Sequence, residues 1–126
     1  MSPNKIKSIA ALLLGLAVAI GAFGAHGLKN LLLHTQRLDT FETAVKYHFY
    51  HALALLILGG ISTTDISTRQ KWAMLLIIMG IVVFSGSLYL LCLSGYTWLG
   101  AITPLGGTFW IVAWGLLAYE FWLKKS

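Results

Sequence analysis

The sequence predicts an all-α integral membrane protein: a four-helix bundle of spanning helices, with a short interfacial helix between the first two spans. Three observations carry this. Hydrophobic residues make up 58% of the 126 positions and charged residues only 10%, far from the balance of a soluble domain. The apolar residues fall in four long blocks, each near the ~20 residues that a helix needs to cross the hydrocarbon core. The basic residues lie mainly in the loops and tails between those blocks. The net charge of +5 therefore sets orientation and meets anionic headgroups, and is not a nucleic-acid footprint. One membrane domain, residues 1–126, is expected, with spans at about 5–25, 40–61, 68–93 and 104–123.

The first span follows Lys5 and Lys7. Ala22-Phe23-Gly24 resembles a small-residue cleavage site, but the apolar run from Ser8 to Gly27 is long for a signal peptide, so it reads as a retained span. Ala11, Gly15 and Ala19 recur at four-residue steps, as do Ala17, Gly21 and Ala25. Such small-residue faces let a second helix approach closely, within the monomer or across an oligomer seam. Residues Leu28 to Leu38 read as a surface helix. Leu28, Leu31, Leu32, Thr35 and Leu38 fall on one side, opposite Lys29, Asn30, His34, Gln36 and Arg37. A plain loop is the alternative.

Asp39 and Glu42 have capping-box spacing and open the second span. Ser67 and Gln70 repeat that spacing before the third, which ends ahead of Ser94-Gly95. Thr103-Pro104 reads as the cap and first residue of the fourth. Gly15, Gly21, Gly24, Gly27, Gly86, Gly106 and Gly107 are the candidate helix-packing glycines. The single cysteine, Cys92, permits no internal disulfide and no cysteine metal site, and reads as a small buried hydrophobe.

Orientation follows from the basic residues. With the N-terminus in the cytoplasm, Lys5, Lys7, Arg69, Lys71, Lys124 and Lys125 lie inside, against Lys29, Arg37 and Lys46 outside. Both termini are then cytoplasmic. Trp72 and Trp122 mark the inner interface, and Tyr96 and Trp98 the outer one.

This topology gathers His26, Glu42, Lys46, His48, His51, Ser85, Ser87, Tyr89, Thr103 and Thr108 in the outer half of the membrane. The inner half offers almost nothing polar before Glu120, which precedes Lys124 by four residues and reads as an anchor of the fourth span. Ionisable groups in a hydrocarbon span are costly and are functional candidates by default. On the second span, Glu42, Lys46 and Tyr50 share one side, while Tyr47, His48 and His51 cover much of the other. Glu42 and Lys46 stand in the favourable order for a helical ion pair. His48 and His51 are three residues apart and could face one ligand. A zinc site needs a third ligand, for which only His26 is near, and an axial haem pair needs two helices facing one ring. Hydrogen bonds from the histidines to Ser85, Ser87 or backbone carbonyls are the simpler expectation, because polar side chains in a membrane need partners. Trp110 and Trp114 share a face of the fourth span and read as bulk packing. No arrangement of nucleophile, base and oxyanion donors is visible, so no enzyme, metal or cofactor is expected.

Four motifs resemble a known family. They are Gly21-Ala-Phe-Gly-Ala-His-Gly-Leu28, Phe41-Glu-Thr-Ala-Val-Lys-Tyr-His-Phe-Tyr-His51, Phe84-Ser-Gly-Ser-Leu-Tyr-Leu90 and Gly100-Ala-Ile-Thr-Pro-Leu-Gly-Gly107. In this order, over roughly residues 8 to 118, the chain is similar to the small membrane-protein family known as domain of unknown function 423. That family includes bacterial YgdD- and YwdK-like proteins, with eukaryotic transmembrane protein 256 as a relative. The resemblance implies a four-span protein of the bacterial inner membrane. It implies no reaction, cofactor or catalytic residue.

The expected function is non-enzymatic: a structural or accessory protein whose outer polar cluster binds a membrane lipid, a small amphipathic ligand or a partner subunit. A homo-oligomer or a larger membrane complex is the expected setting. A subunit of a small oligomeric transporter or channel is the alternative, and a haem or redox subunit a further one. The accessory reading expects a cavity open outward or sideways. Apolar residues would close it below, including some of Ile57, Leu76, Met79 and Leu117.

Overall fold

The computed structural model describes residues 1–124, so Lys125 and the last residue lie outside it. Four helices are long and apolar enough to cross a membrane. The first, α1, runs Pro3–Ala25. It begins two residues before the expected start, because the Ser2 hydroxyl accepts the Lys5 amide and Pro3 occupies the first turn, where it loses no hydrogen bond.

The interfacial segment does form a helix, α2, but a shorter one than expected, Lys29–His34. Gln36 stops it by adopting φ 58°, a left-handed conformation that lets the Arg37 amide reach the Leu32 carbonyl at 2.9 Å. Its apolar side divides. Leu32 is fully buried against Phe41 and Cys92, with Leu28 and Leu38 alongside, whereas Leu31 is exposed.

The second span, α3, covers Leu38–Ile61. The expected Asp39–Glu42 capping box does not form. The turn from α2 makes Arg37 the cap position, so Asp39 lies within the first turn, where its charge suits the helix dipole but its side chain cannot cap. After the connection, Ser67 and Gln70 make both arms of the expected capping box at 3.2 Å. The third span is continuous from Thr68 to Ser94. It comprises α4 (Thr68–Gly80), a π-helical turn (Ile81–Ser85) and α5 (Gly86–Ser94), closed by Gly95 at φ 78°. A 3₁₀ turn, Thr97–Ala101, leads into α6, Thr103–Leu123. Thr103 is therefore inside the helical path and does not cap it. Its hydroxyl reaches back to the Leu99 carbonyl at 3.3 Å instead.

Packing is serial. α1 lies along α3, α3 lies on the third span, and the third span lies along α6. The loops at residues 26–37 and 95–102 mark one end of the bundle (the loop end), and the chain termini mark the other. Most of the larger apolar core sits toward the termini, where Ile6, Leu55, Met74, Ile77 and Leu117 are almost completely buried. A smaller core of Leu32, Phe41 and Cys92 closes the loop end.

Close helix approach uses some of the expected glycines. A side chain at Gly24 would collide with the Phe41 ring, and one at Gly106 with the Phe84 backbone. Gly21 faces Val45 of α3 and Gly107 lies against the Phe84 ring, whereas the nearest atoms to Gly27 belong to Phe23, four residues before it, so it admits no second helix. Gly15 and Gly86 are corrections: among the described residues nothing lies within 4 Å of a side chain added at either. Gly59 and Gly80 take the vacant roles, facing Ile6 and Lys7 and the Trp110 indole respectively.

Candidate functional site

The buried polar groups of the loop-end half form a layer between the two apolar cores. Counted at ~1.5 Å per residue from Leu38, His48 lies roughly 15 Å and His51 roughly 20 Å along α3. His51 thus sits near the middle of α3. Both rings are buried, but they diverge.

His51 faces α6. Its ring stacks on Trp110 with centroids 3.7 Å apart and planes 5° from parallel. Its Nδ1 lies 2.9 Å from the Tyr47 carbonyl oxygen, and the Trp114 indole N–H donates to its Nε2 at 3.2 Å. A carbonyl only accepts and an indole only donates, so the imidazole is neutral with its proton on Nδ1. Both nitrogens are used, which leaves none for a metal. Trp110 is fixed in turn, because its indole N–H donates to the Ile77 carbonyl at 3.1 Å across Gly80. That bond falls immediately before the π turn. The extra residue in the turn advances the register so that Ser85 meets α3 and Phe84 meets Gly106.

His48 faces the third span. Its Nδ1 is 2.8 Å from the Tyr89 hydroxyl. Its Nε2 is buried and has no hydrogen-bond partner among the described residues. Ser85 donates to the Ala44 carbonyl at 2.8 Å, and Ser87 pairs with Thr103 at 2.6 Å. The histidines and serines therefore do not form one network: His48 pairs with Tyr89 of the third span, Ser85 with α3, and His51 and Ser87 with different residues of α6. His26 is exposed at the α1–α2 joint and shares no hydrogen bond with either buried histidine among the described residues. No group of three His, Cys, Asp or Glu suited to a metal occurs there either.

Glu42 and Lys46 lie together on the exposed side of α3 with Tyr50. The expected pair between them is not made. The only ion pair among the described residues joins Arg69 Nε to Glu120 Oε2 at 2.8 Å, tying α4 to α6 at the terminal end. Glu120 is buried and prefers this partner to Lys124. The terminal half therefore has a polar contact of its own, contrary to the expected one-sided polarity. Sequence spacing favoured Lys124 because it sees only the same helix, whereas Arg69 lies 51 residues away.

The central layer opens sideways. Between α3 and α6 a groove of about 470 Å³ is lined by Thr43, Tyr47, His51, Phe84, Gly107, Trp110, Ile111 and Trp114. Trp110 and Trp114, read from sequence as bulk packing, prove to be its floor and wall and the source of its hydrogen bonds. A tryptophan N–H within a span needs an acceptor, and that was the available signal. Ile57 and Met79 do not close the groove, since both are exposed on outer helix faces, whereas Leu117 is buried in the terminal core.

Comparison with known proteins agrees with a membrane protein. Residues 20–107 match the family model described as protein of unknown function (DUF423). A UPF0382 membrane protein of Staphylococcus saprophyticus is 49% identical over 102 residues, covering 81% of this chain and 83% of the relative. One from Staphylococcus aureus is 49% identical, covering 81% and 82%. The UPF0382 membrane protein YwdK of Bacillus subtilis is 45% identical over 106 residues, covering 79% and 80%. No solved structure matches. With 70% of its length inside the family model, and with relatives of this identity, the chain belongs to the DUF423 family of membrane proteins.

Proposed function

We propose that this protein is a non-enzymatic accessory protein of the bacterial inner membrane that holds an amphipathic molecule in the groove between α3 and α6. The groove carries the reading. Its floor is the rigid His51–Trp110 stack, and its wall includes the half-exposed Tyr47 and Trp114. Thr43 and Tyr47 offer hydroxyls along an otherwise apolar lining, which suits a molecule with a weakly polar head and an apolar body. The filled core around Ile77, Ala113 and Leu117 supports binding over passage through the protomer. The excess of Lys and Arg on the terminal side supports cytoplasmic termini.

Native mass spectrometry of the gently solubilised chain tests the reading. Gly107 lines the groove, and a side chain added there makes only ordinary contact with the Phe84 ring, at 3.8 Å. Gly107→Leu should therefore fill the groove without unfolding the bundle. Wild-type protein should retain an amphipathic molecule that Gly107→Leu loses. Identical adduct spectra would contradict the proposal. Reporter fusions at the C-terminus and in the connection after Ile61 should both report the cytoplasm.

A further inference from the structure

On the opposite side of α3 a second groove, of about 310 Å³, runs between α1 and α3. Gly21, Gly24 and Val45 belong to its apolar floor, and Glu42 and Lys46 line its edge. Both charged side chains are exposed, and neither is ion-paired among the described residues. Lys46 begins ~12 Å along α3 from Leu38, a depth at which a cation requires an anionic partner or must reach back to the headgroups. Glu42 sits one turn nearer the loop end, about 6 Å higher.

We propose that this groove binds a phospholipid with a phosphoethanolamine headgroup, in the leaflet at the loop end. The order of the two charges is the argument. In such a lipid the phosphate adjoins the glycerol and lies deeper, and the primary ammonium is distal. Lys46, the deeper of the two along α3, is placed for the phosphate, and Glu42, one turn nearer the loop end, for the ammonium. The glycine-lined floor leaves room for the start of an acyl chain. Other headgroups fit less well. Phosphocholine carries no N–H to donate to Glu42, phosphoglycerol has no cation for it, and phosphoserine adds a carboxylate beside it. This site is separate from the α3–α6 groove, and neither proposal depends on the other.

The full chain, reconstituted in nanodiscs of mixed phosphatidylethanolamine, phosphatidylcholine and phosphatidylglycerol, is released into native mass spectrometry and its bound lipids are counted. Wild-type protein should retain phosphatidylethanolamine several-fold over its share of the mixture. Glu42→Gln and Lys46→Met should each bring retention down to that share. The double variant Glu42→Lys/Lys46→Glu keeps the net charge but reverses the order, and should also lose the preference. All three changes are on an exposed face, and circular dichroism checks the fold. The absence of a wild-type preference, or its survival in the charge-reversed variant, would overturn the proposal. Gly107→Leu should leave this preference intact, which separates the site from the other groove.

Discussion

The seam between the third span and α6 and the seam between α1 and α3 are built differently. In the first, the Gly106 backbone approaches the Phe84 backbone, Trp110 fills the space beside Gly80, and indole N–H groups reach acceptors on two other helices. Arg69 and Glu120 tie its terminal end. The second seam is mainly apolar contact: Ile6, Ala10 and Ala17 are buried, Gly24 and Gly59 admit their neighbours closely, and the His48 ring makes a polar approach to the Leu13 backbone. In a bilayer, apolar contact between helices gains little over contact with lipid, whereas directed hydrogen bonds and interlocking shapes fix one arrangement. Rigidity is concentrated in the first seam. The third span and α6 form the scaffold that shapes the aromatic groove, and α1 is the more loosely specified partner.

Trp110→Ala breaks the scaffold at its centre and should have the largest effect, a loss of about 3–5 kcal/mol in a reversible unfolding measurement. A loss comparable with that of an exposed substitution would erase the difference between the seams. Gly106→Ala drives a methyl into the Phe84 backbone and should cost about 1–3 kcal/mol. Gly15→Ala, on the open face of α1, should stay within about 0.5 kcal/mol. Equal costs for the two glycines would contradict the contrast.

Double-mutant cycles sharpen it further. His51→Ala and Trp114→Phe remove two ends of one hydrogen bond and should be non-additive by about 0.5 kcal/mol or more. His51→Ala and Ser85→Ala act on separate contacts and should add. A small effect of opposite sign belongs to the α2–α3 turn. Gln36→Gly relieves the left-handed conformation and should leave stability unchanged or raise it by up to about 1 kcal/mol, whereas Gln36→Val should lower it.

Local signals translated well into structure. The Ser67–Gln70 box formed as spaced, Gly95 ended the third span, and the apolar blocks became the spans. Ser2-Pro3 is an equally local signal and places the start of α1 two residues before the expected one. Asp39 does not cap because the turn before it, set by Gln36 and the burial of Leu32, moves the helix start two residues toward the N-terminus. Periodicity separated the faces of α3 but could not say what each would meet. His48 and His51 share a broad side, yet one turns to Tyr89 and the other to Trp114. The π turn was invisible in Ile81–Ser85, whose residues are ordinary for a span. It accompanies Trp110 on another helix reaching the Ile77 carbonyl, a long-range condition that no local pattern encodes.

Photo-crosslinking with a lipid that carries a diazirine in its acyl chain shows whether the α3–α6 groove holds an amphipathic molecule. Crosslinked residues would be mapped by mass spectrometry of the full chain in lipid. A groove that holds an amphipathic molecule should concentrate label on Thr43, Tyr47, Ile111 and Trp114, above the level on the openly exposed Leu12 and Leu16 of α1. Gly107→Leu should return those positions to the α1 level. Uniform labelling of the groove and the α1 face in the wild-type protein would contradict the account.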